Sequence, residues 1–378
     1  MKERPSGKDT ESAVEINKNH PYGIWTIDIN LEGDRRQIPV FDCRDDSHKE
    51  TIAQLLANYK VAAAFGVGLY GFSALVEDPR VGRNPESWKV FYQAKIGRSL
   101  DKRIPIQATP KNLYRYMDKS IVHPEFQRYF DSRESREDLY KAGVAFHIMS
   151  PIPQDAYYIH PVFIQEHKVF LTDKNGNLTN TIKVPCVSLC WWHDPDWEEI
   201  SDRVEVLNPH ATAGISSANA SGKLPAFDFD GIVYFIEENH AAPFHFVVKD
   251  SENEVKKRTK REQVRSSFPQ FRPAFVGEKP EWVVLREGAI SMEGFLKAIN
   301  SPFSARTIET TTMADRDHAN ETVLDEKVFA VRESTIESFK ERHPSQNTLE
   351  TLKGSLMLWP TSKDPVMEYV ERELNLAI

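Results

Sequence analysis

The segment Ile215-Ser216-Ser217-Ala218-Asn219-Ala220-Ser221-Gly222 concentrates hydroxyl groups, an amide and a glycine directly after a predicted strand. Short polar side chains on an open backbone are what an anion-binding turn requires. The same composition also fits an ordinary linker, and the segment alone does not decide between the two. It directs attention to the parts of the chain that could supply the cationic half of an anion site.

Such cations occur in a second segment. The residues Lys95-Ile96-Gly97-Arg98-Ser99-Leu100-Asp101-Lys102-Arg103-Ile104-Pro105 follow an amphipathic helix whose start is indicated by Asn84-Pro85. The cations of this segment would complement the helix dipole at its C-terminal end. They would equally form a clamp for a triphosphate, because arginine forks and lysine ammonium groups suit phosphate oxygens.

The composition is that of a globular protein with a proper core. The chain has 378 residues and 40% hydrophobic content, and 48 Lys+Arg against 56 Asp+Glu give a formal net charge of −8. An acidic chain has no global cationic field to hold it on nucleic acid or an anionic bilayer. No apolar run approaches a membrane span, residues 1–20 are polar, and 3 cysteines fit a reducing compartment. We therefore expect a cytoplasmic protein without a membrane partner.

Local patterns predict a chain in which helices and strands alternate. Capping residues and prolines indicate where helices begin, and short β-branched or aromatic runs indicate strands. The predicted helices begin at Ser47 (with Glu50 completing a capping box), Asn84-Pro85, Thr109-Pro110, Asp194-Pro195 and Ser291, and the predicted strands are 61–65, 145–152, 157–165, 169–172, 182–192, 232–236, 244–248 and 283–286. Mixed strands with hairpins predict an α/β fold with a mixed sheet.

The predicted domain organisation follows shifts in composition. Residues 1–21 form a charged lead-in that we expect to lack fixed structure. Residues 22–300 carry the core elements, interrupted by a charged, Pro- and Phe-rich insertion at 251–280. Residues 301–378 form a C-terminal extension, which is a candidate lid over the site.

Three further patterns point to chemistry that we do not expect here. Residues 66–71 match G-x-G-x-x-G, but Asp78-Pro79 follows too soon for the helix that a dinucleotide site needs. Cys186 and Cys190 would lie about 13 Å apart on one strand face, too far for one zinc ion, so we interpret them as small buried side chains. The basic run 256–265 could contact an RNA backbone, but a solvated loop is the favoured interpretation.

Four motifs, in the order found here, resemble the YrdC-like family, which is best known for threonylcarbamoyl-AMP synthases. Leu69-Tyr70-Gly71-Phe72 resembles the family's Tyr-Gly-Leu turn. Lys95, Arg98 and Lys102 resemble its Lys-x-Arg and the following Lys-Pro, with one extra residue between the first two. The segment from Ser217 to Gly222 resembles Ser-Ala-Asn-x-Ser-Gly, and the segment from Leu285 to Ile290 resembles Leu-Arg-x-Gly-Ala-Ile. The similarity spans about 47–299, and the order of all four short motifs carries it.

The resemblance implies a twisted mixed α/β sheet, flanked by helices, with a concave basic cavity. Enzymes of the family bind ATP there, with Mg²⁺, and join it to bicarbonate and L-threonine with release of pyrophosphate. The resemblance implies that Lys95 and Arg98 are catalytic and that the ATP-binding residues are Lys95, Arg98, Lys102, Ser217, Asn219 and Arg286. We assign contacts with the amine substrate to Tyr70, Gln107 and Ser216, and we predict no metal ligand in the protein itself.

The departures from the family's pattern fall on the amine half of the site. The family's Pro-Thr-x-Thr stands here as Phe65-Gly66-Val67-Gly68, and its Ser-Thr-Val-Val-Asp is matched by Phe246-Val247-Val248-Lys249-Asp250, so both lack the expected hydroxyl groups. An Arg-x-Pro strand motif is not evident between Val187 and Pro195. The hypothesis is therefore ATP- and bicarbonate-dependent carboxylation and adenylation of L-threonine or, as these departures favour, of a more apolar amine or amino acid.

Two alternatives stay open at this point. The first is a non-catalytic nucleotide- or RNA-binding module that keeps only the phosphate cradle, which the basic run 256–265 favours. The second is carbamoyl transfer from carbamoyl phosphate, which would need a metal-bearing partner domain, and the sequence shows no ligand cluster for one. The joint presence of Lys95, Arg98, Ser217 and Asn219 favours the adenylating enzyme.

Overall fold

Apolar strands with short helices between them build one mixed sheet. The structure is a computed structural model, and it describes residues 14–18, 24–31, 34–65, 69–98, 102–109, 111–131, 146–172, 178–191, 195–220, 225–226, 228–239, 243–249, 269–275, 280–286, 292–307 and 330–332. The strands are β1 (Val14–Asn17), β2 (Trp25–Leu31), β3 (Asp34–Asp42), β4 (Ala62–Phe65), β5 (Tyr70–Glu77), β6 (Ile106–Gln107), β7 (Phe146–Pro151), β8 (Ile164–Thr172), β9 (Leu178–Trp191), β10 (Ala211–Ser217), β11 (Phe246–Lys249), β12 (Gln270–Arg272), β13 (Trp282–Arg286), β14 (Ala305–Thr307) and β15 (Ala330–Arg332). The α-helices are α1 (Asp46–Ala57), α2 (Lys89–Ala94), α3 (Leu113–Tyr116), α4 (Pro124–Asp131), α5 (Pro195–Leu207), α6 (Phe229–Glu238) and α7 (Met292–Ala298). None of the described helices combines the length and the apolar character needed to cross a bilayer.

The sheet combines parallel and antiparallel strand pairs. Its strand order is β1-β2-β3-β11-β4-β5-β10-β6-β9-β7-β12-β13-β14, with β8 paired to β9 and β15 paired to β8. The pairs β3/β11, β11/β4, β6/β9, β7/β12, β13/β14 and β8/β15 are parallel, and the other described pairs are antiparallel. With helices packed against it, this sheet confirms the predicted α/β fold class.

Each face of the sheet is covered by its own apolar core. Successive residues of β5 alternate between the two, since Phe72 belongs to one core and Leu75 to the other. Helices α2, α4, α6 and α7 pack on the Phe72 face, and α1 and α5 pack on the Leu75 face. The alternation is the period of two that a sheet buried on both sides requires.

Lys49 joins α1 to α5 through an ion cluster in which the lysine is buried and its carboxylate partners reach solvent. Its Nζ lies 2.8 Å from an oxygen of Asp46, 2.8 Å from one of Asp196 and 2.7 Å from one of Glu199. Hydrogen bonding to Asp196, Asp46 and Glu199 raises the pKa of Lys49. Because a buried ammonium group without partners is costly, these carboxylates fix how the two helices pack.

Helix α1 does not begin with the predicted capping box. Its N-cap is Asp45, whose carboxylate accepts a hydrogen bond of 2.9 Å from the backbone N–H of Ser47. Aspartate and serine are comparable caps, so the sequence alone offers two starts two residues apart. The start at Ser47 is wrong, because Asp45 already satisfies the free amide groups.

The largest difference from prediction concerns residues 232–236, which lie in helix α6 and not in a strand. Asp228 caps the helix by accepting a hydrogen bond of 2.8 Å from the backbone N–H of Gly231. Ile232, Phe235 and Ile236 then share one buried helical face. Burial of that face and the cap outweigh the high β-propensity of the run.

The other predicted elements hold only in part: α2 begins at Lys89 and not at Asn84-Pro85, and α3 begins at Leu113 and not at Thr109-Pro110. The strands 61–65, 145–152, 182–192, 244–248 and 283–286 and the helix that opens at Asp194-Pro195 are confirmed to within a few residues. The predicted strand 157–165 is wrong: Pro161–Phe163 form a 3₁₀ turn, and β8 begins at Ile164. Pro161 has no N–H group to donate to a strand ladder, which favours the turn.

The structure describes only part of the three predicted regions outside the core, which are the lead-in, the insertion and the C-terminal extension. The lead-in 1–21 contains β1, which pairs with β2 and buries Val14, so this part has a fixed structure. In the predicted insertion 251–280, residues 251–268 lie outside the described residues, whereas Gln270–Arg272 form the buried strand β12 between β7 and β13. Of the extension 301–378, the structure describes 301–307 and 330–332.

Candidate functional site

The turn after β10 is fixed to the end of β5 by backbone hydrogen bonds. The N–H of Ala218 donates to the carbonyl of Tyr70 at 2.8 Å, and the N–H of Tyr70 donates to the carbonyl of Ala226 at 2.7 Å. The N–H of Ala226 donates in turn to the carbonyl of Ala218 at 3.1 Å. These three hydrogen bonds therefore fix Ser217 and Asn219 at the end of β10.

Lys95 reaches this turn from the end of α2. The side chain is largely buried, and its Nζ lies 2.7 Å from Ser217 Oγ, 3.1 Å from Asn219 Oδ1 and 3.3 Å from the Ser217 carbonyl oxygen. Ser217 Oγ also donates to Asn219 Oδ1 at 2.6 Å. None of these oxygens carries a formal charge, so these contacts orient the ammonium group without neutralising it.

Arg98 is brought beside Lys95 by a tight turn. Gly97 has φ +74°, a conformation that favours glycine, and the N–H of Arg98 donates to the carbonyl of Lys95 at 2.9 Å. Arg98 Nη1 then donates to Ser216 Oγ at 3.2 Å. The extra residue in the Lys-x-x-Arg spacing is thus absorbed by Gly97, and both cations still reach the same end of β10.

The close approach of α2 to β10 depends on Gly214. A Cβ atom at this position would lie 2.8 Å from Phe91 Cζ and 2.9 Å from Ile104 Cγ2, distances that real Cβ contacts do not show. The aromatic face of α2 therefore rests directly on the β10 backbone. Gly214 was not among the predicted site residues, although an isolated glycine inside a predicted strand is the signal for such an approach.

Lys102 and Arg103 support Arg98 through their main chains. The Lys102 carbonyl accepts hydrogen bonds from Arg98 Nε at 3.3 Å and from the Tyr92 hydroxyl at 3.2 Å, and the Arg103 carbonyl accepts from Arg98 Nη2. The Tyr92 ring also lies 5.9 Å from the Arg98 guanidinium. Tyr92 is a second positioning residue that was not predicted, and its signal is an aromatic ring with a polar tip on the inner helix face. A contact between Lys102 and ATP stays a prediction.

We call the set Lys95, Arg98, Ser216, Ser217 and Asn219 the Lys95 cradle. It joins two cations from the end of α2 and the following turn to hydroxyl and amide groups from the end of β10. Partial burial strengthens such charges relative to water. The arrangement can hold an oxyanion and stabilise negative charge that develops on it.

Tyr70 and Gln107, two residues predicted to contact the amine, lie outside the cradle. The Tyr70 side chain is fully buried and belongs to the Phe72 core. Gln107 lies on the α5 side of the sheet, where its Oε1 accepts from Ser73 Oγ at 3.1 Å and its Nε2 donates to Ser201 Oγ at 3.3 Å. Ser216 is the predicted amine contact that does lie in the cradle, and amine binding by all three stays a prediction.

Arg286 ends β13, at a distance from the cradle. Strands β6, β9, β7 and β12 lie between β10 and β13 in the sheet order. At about 4.8 Å per strand, the two backbones are roughly 24 Å apart along the sheet. ATP binding by Arg286 also stays a prediction.

The thiols of β9 are buried as interpreted from the sequence. Cys186 and Cys190 have no exposed surface, and burial raises the pKa of both thiols. His193, the third residue of the zinc pattern, lies outside the described residues. Over the described part of the chain, no group of three or more His, Cys, Asp or Glu side chains could hold a metal ion.

The protein has an α/β fold, and the cradle brings two cations and several polar groups together at the end of a central strand. No protein-family model matches the sequence, and a search of curated proteins gives no match. The chain is similar to the solved structure of a doubly substituted variant of Sua5 from P. abyssi, with 15% identity, a TM-score of 0.44 and coverage of 71% of this chain and 65% of that one. It is also similar to the hypothetical protein smu.1377c from Streptococcus mutans UA159 (13% identity, TM-score 0.47, 72% and 98% coverage) and to full-length HypF (11% identity, TM-score 0.39, 64% and 29% coverage). The chain thus matches less than two thirds of the Sua5 chain and less than a third of HypF.

Proposed function

We propose that the protein is an ATP- and bicarbonate-dependent enzyme that carboxylates an amine and adenylates the resulting carbamate, releasing pyrophosphate. The observation that carries the proposal is the convergence of Lys95 and Arg98 on Ser216, Ser217 and Asn219. Lys95, Arg98, Ser217 and Asn219 are four of the six residues that the resemblance to threonylcarbamoyl-AMP synthases assigns to the nucleotide. Ser216, which it assigns to the amine, joins them here. The sequence separates the two halves by more than 110 positions, and the fold brings them together.

The cradle suits the triphosphate because its groups are oriented before a ligand arrives. Arg98 is held by two backbone carbonyls and Lys95 by three oxygens of the Ser217–Asn219 turn. Little reorganisation is then needed when charge develops on the leaving group, which is how fixed donors accelerate a reaction. Lys95 and Arg98 would neutralise the phosphate oxygens and stabilise the pyrophosphate as it leaves.

The proposed reaction balances in two steps. The neutral amine attacks bicarbonate carbon, and loss of water leaves a carbamate. A carbamate oxygen then attacks the α-phosphorus of ATP in line while the bond from that phosphorus to the bridging oxygen breaks, so that the electron pair leaves with pyrophosphate. Magnesium enters as part of the nucleotide substrate, because it is usually held by phosphates and water with few protein ligands, and the cradle itself contains no carboxylate.

The decisive experiment measures pyrophosphate release with ATP, Mg²⁺, labelled bicarbonate and a panel of amines and amino acids. We expect amine-dependent release, with a more apolar amine preferred over L-threonine. We expect Lys95→Ala and Arg98→Ala each to lower kcat/KM by about 100-fold, the scale for losing one oxyanion donor. Lys119→Ala is the matched control, since this exposed lysine pairs with Asp131 on α4 and its loss should leave the rate unchanged.

Three results would count against the proposal. Pyrophosphate that never rises above the amine-free background, while nucleotide or RNA still binds, would favour the non-catalytic module. Unchanged rates in Lys95→Ala and Arg98→Ala would remove the cradle from the reaction. A preference for L-threonine over every other amine would contradict the altered acceptor alone.

A further inference from the structure

Arg103 links a cation of the Lys95 cradle to a neighbouring strand. Its side chain is half-buried, and Arg103 Nε donates to the carbonyl of Ile164, the first residue of β8, at 2.8 Å. The carbonyl of Arg103 itself accepts a hydrogen bond from Arg98 Nη2. A chain of two hydrogen bonds therefore runs from the Arg98 guanidinium through Arg103 to the backbone of β8.

Backbone hydrogen bonds fix the second half of the segment 102–105. The N–H of Ile104 donates into the 3₁₀ turn before β8, and the carbonyl of Pro105 accepts from β10, both at 2.9 Å. The two carbonyls that accept from the Arg98 guanidinium belong to the first half of the segment. The bond from the Arg103 side chain to β8 acts on this half, where the position of the acceptors matters for Arg98.

The sequence gives a reason for a restraint at this position. The lysine of the family's Lys-Pro is matched by Lys102, and this chain continues with Arg103 in place of the proline. A proline ring fixes the backbone angle φ, whereas an arginine leaves that angle free to vary. A hydrogen bond from the arginine side chain to β8 supplies a restraint that the exchange would otherwise remove.

We propose that Arg103 is a positioning residue for Arg98. Its bond to β8 holds the carbonyls of Lys102 and Arg103 where they orient the Arg98 guanidinium within the cradle. Arg103 acts through Arg98 and not through its own charge. A guanidinium that is oriented in advance loses less conformational freedom when it binds a phosphate group, so the affinity rises. The inference rests on the proposed function for its ligand, ATP.

Two substitutions separate the hydrogen bond of Arg103 from its charge. In Arg103→Gln the amide nitrogen takes the place of Nε along the side chain, so it can donate to the carbonyl of Ile164 without a positive charge. In Arg103→Met a methyl group takes the same place and no donor is left. We expect ATP with Mg²⁺ to bind about tenfold more weakly to Arg103→Met, the scale for one hydrogen bond to a charged group, and with near wild-type affinity to Arg103→Gln.

The comparison of the two variants can overturn the inference in two ways. Wild-type affinity in Arg103→Met would show that the segment is held without this bond. Equal losses in both variants would show that the charge of Arg103 acts on the ligand directly. If Arg103→Met does not fold, a tenfold loss in Arg103→Gln would by itself contradict the positioning role.

A double-mutant cycle tests whether Arg103 acts through Arg98. In an Arg98→Met background, Arg103→Met should not weaken ATP binding further, because the group that it positions is gone. Additive losses would overturn the inference. Arg115→Met is the matched control, since Arg115 Nη2 donates to the carbonyl of Pro209 at 2.9 Å, after the end of α5. Its loss should leave the affinity for ATP unchanged.

A measurement without nucleotide keeps the test separate from the proposed function. In protein labelled with ¹⁵N-arginine, the Arg98 Nε–H signal is assigned by its loss in Arg98→Lys, and its hydrogen exchange with solvent is followed by NMR. We expect faster exchange in Arg103→Met and wild-type exchange in Arg103→Gln, and equal rates in all three proteins would overturn the inference. The expected exchange rates without any pyrophosphate release would reject the proposed reaction and leave the positioning role standing. Pyrophosphate release by Arg103→Met with wild-type kcat and KM for ATP would reject only the positioning role.

Discussion

Gly214 shows how much of the candidate site rests on one missing side chain. Phe91 and Ile104 occupy the space where a Cβ atom would stand. Helix α2 can therefore lie close enough to β10 for Lys95 and Arg98 to meet the serine hydroxyls. A methyl group at position 214 would push α2 away from the backbone of β10 and so displace the two cations of the cradle.

Gly214→Ala should lower the free energy of unfolding by roughly 1–3 kcal/mol, because the new methyl group overpacks the contact between α2 and β10. We also expect weaker nucleotide binding, since Lys95 follows directly after α2 and would move with it. Urea denaturation followed by circular dichroism measures the first effect, and equilibrium binding of ATP measures the second. Ala74→Gly, a methyl deletion in the same core, serves as a comparison that lowers stability without displacing α2. Unchanged stability and affinity in Gly214→Ala would show that the contact is looser than described.

At the scale of the elements, the ion cluster between α1 and α5 decides how one face of the sheet is covered. Lys49 is nearly inaccessible to solvent and contacts carboxylates from both helices. Removing the ammonium group would take away the cation that contacts all three carboxylates, although Arg44 still pairs with Asp196 and Arg203 with Glu199. The penalty for its loss exceeds the value of an exposed ion pair.

Lys49→Met should therefore lower the free energy of unfolding by about 1–2 kcal/mol, between the scales for an exposed pair and for a buried one, because the lysine is buried while its partner carboxylates are partly or largely exposed. Thermal and chemical denaturation would measure the loss. The control is Lys183→Met, which removes an exposed pair with Glu166 and should have little effect. Equal and small losses in the two variants would contradict a structural role for the cluster.

The elements also show what sequence patterns can and cannot predict. Central strands such as β4 and β13 are short apolar runs between turn residues, and their prediction needs no knowledge of neighbours. Helix α6 is different, because its residues 232–236 have strand propensity and become helical through the Asp228 cap and burial against the Phe72 core. The cradle follows the same division. Its cations and its serine turn are visible as motifs, whereas the contributions of Gly214 and Tyr92 depend on how α2 packs on β10.

At the scale of the whole molecule, two buried histidines link stability to pH. Burial lowers the pKa of His160 to about 4, and burial with the charge of Arg286 lowers the pKa of His147 to about 3. In the unfolded chain both histidines titrate near their ordinary value of about 6.5. Between these values the unfolded state binds more protons, so stability rises with pH in this window and is lost as pH falls.

We expect the free energy of unfolding to fall by roughly 2 kcal/mol per histidine between pH 6.5 and pH 5. Urea denaturation at several pH values measures the slope. His160→Gln should remove about half of the slope, although it also removes the stacking of His160 on Trp88 and so lowers stability at every pH. His210→Gln, at an exposed position just before β10, is the comparison that should keep the full slope. A stability that does not change between pH 5 and pH 7 would show that both imidazoles are accessible to protons in the folded state.

The pairing of β15 with β8 has a consequence for synthesis on the ribosome. Residues 330–332 lie parallel to residues 170–172, so the partner of this stretch of β8 is translated long after it. At typical rates of elongation the interval is roughly ten to thirty seconds. During that time the backbone N–H and C=O groups on this side of β8 face solvent or a chaperone, and an open strand edge of this kind invites pairing with other nascent chains. The order of translation thus leaves this edge of β8 open until β15 has been made.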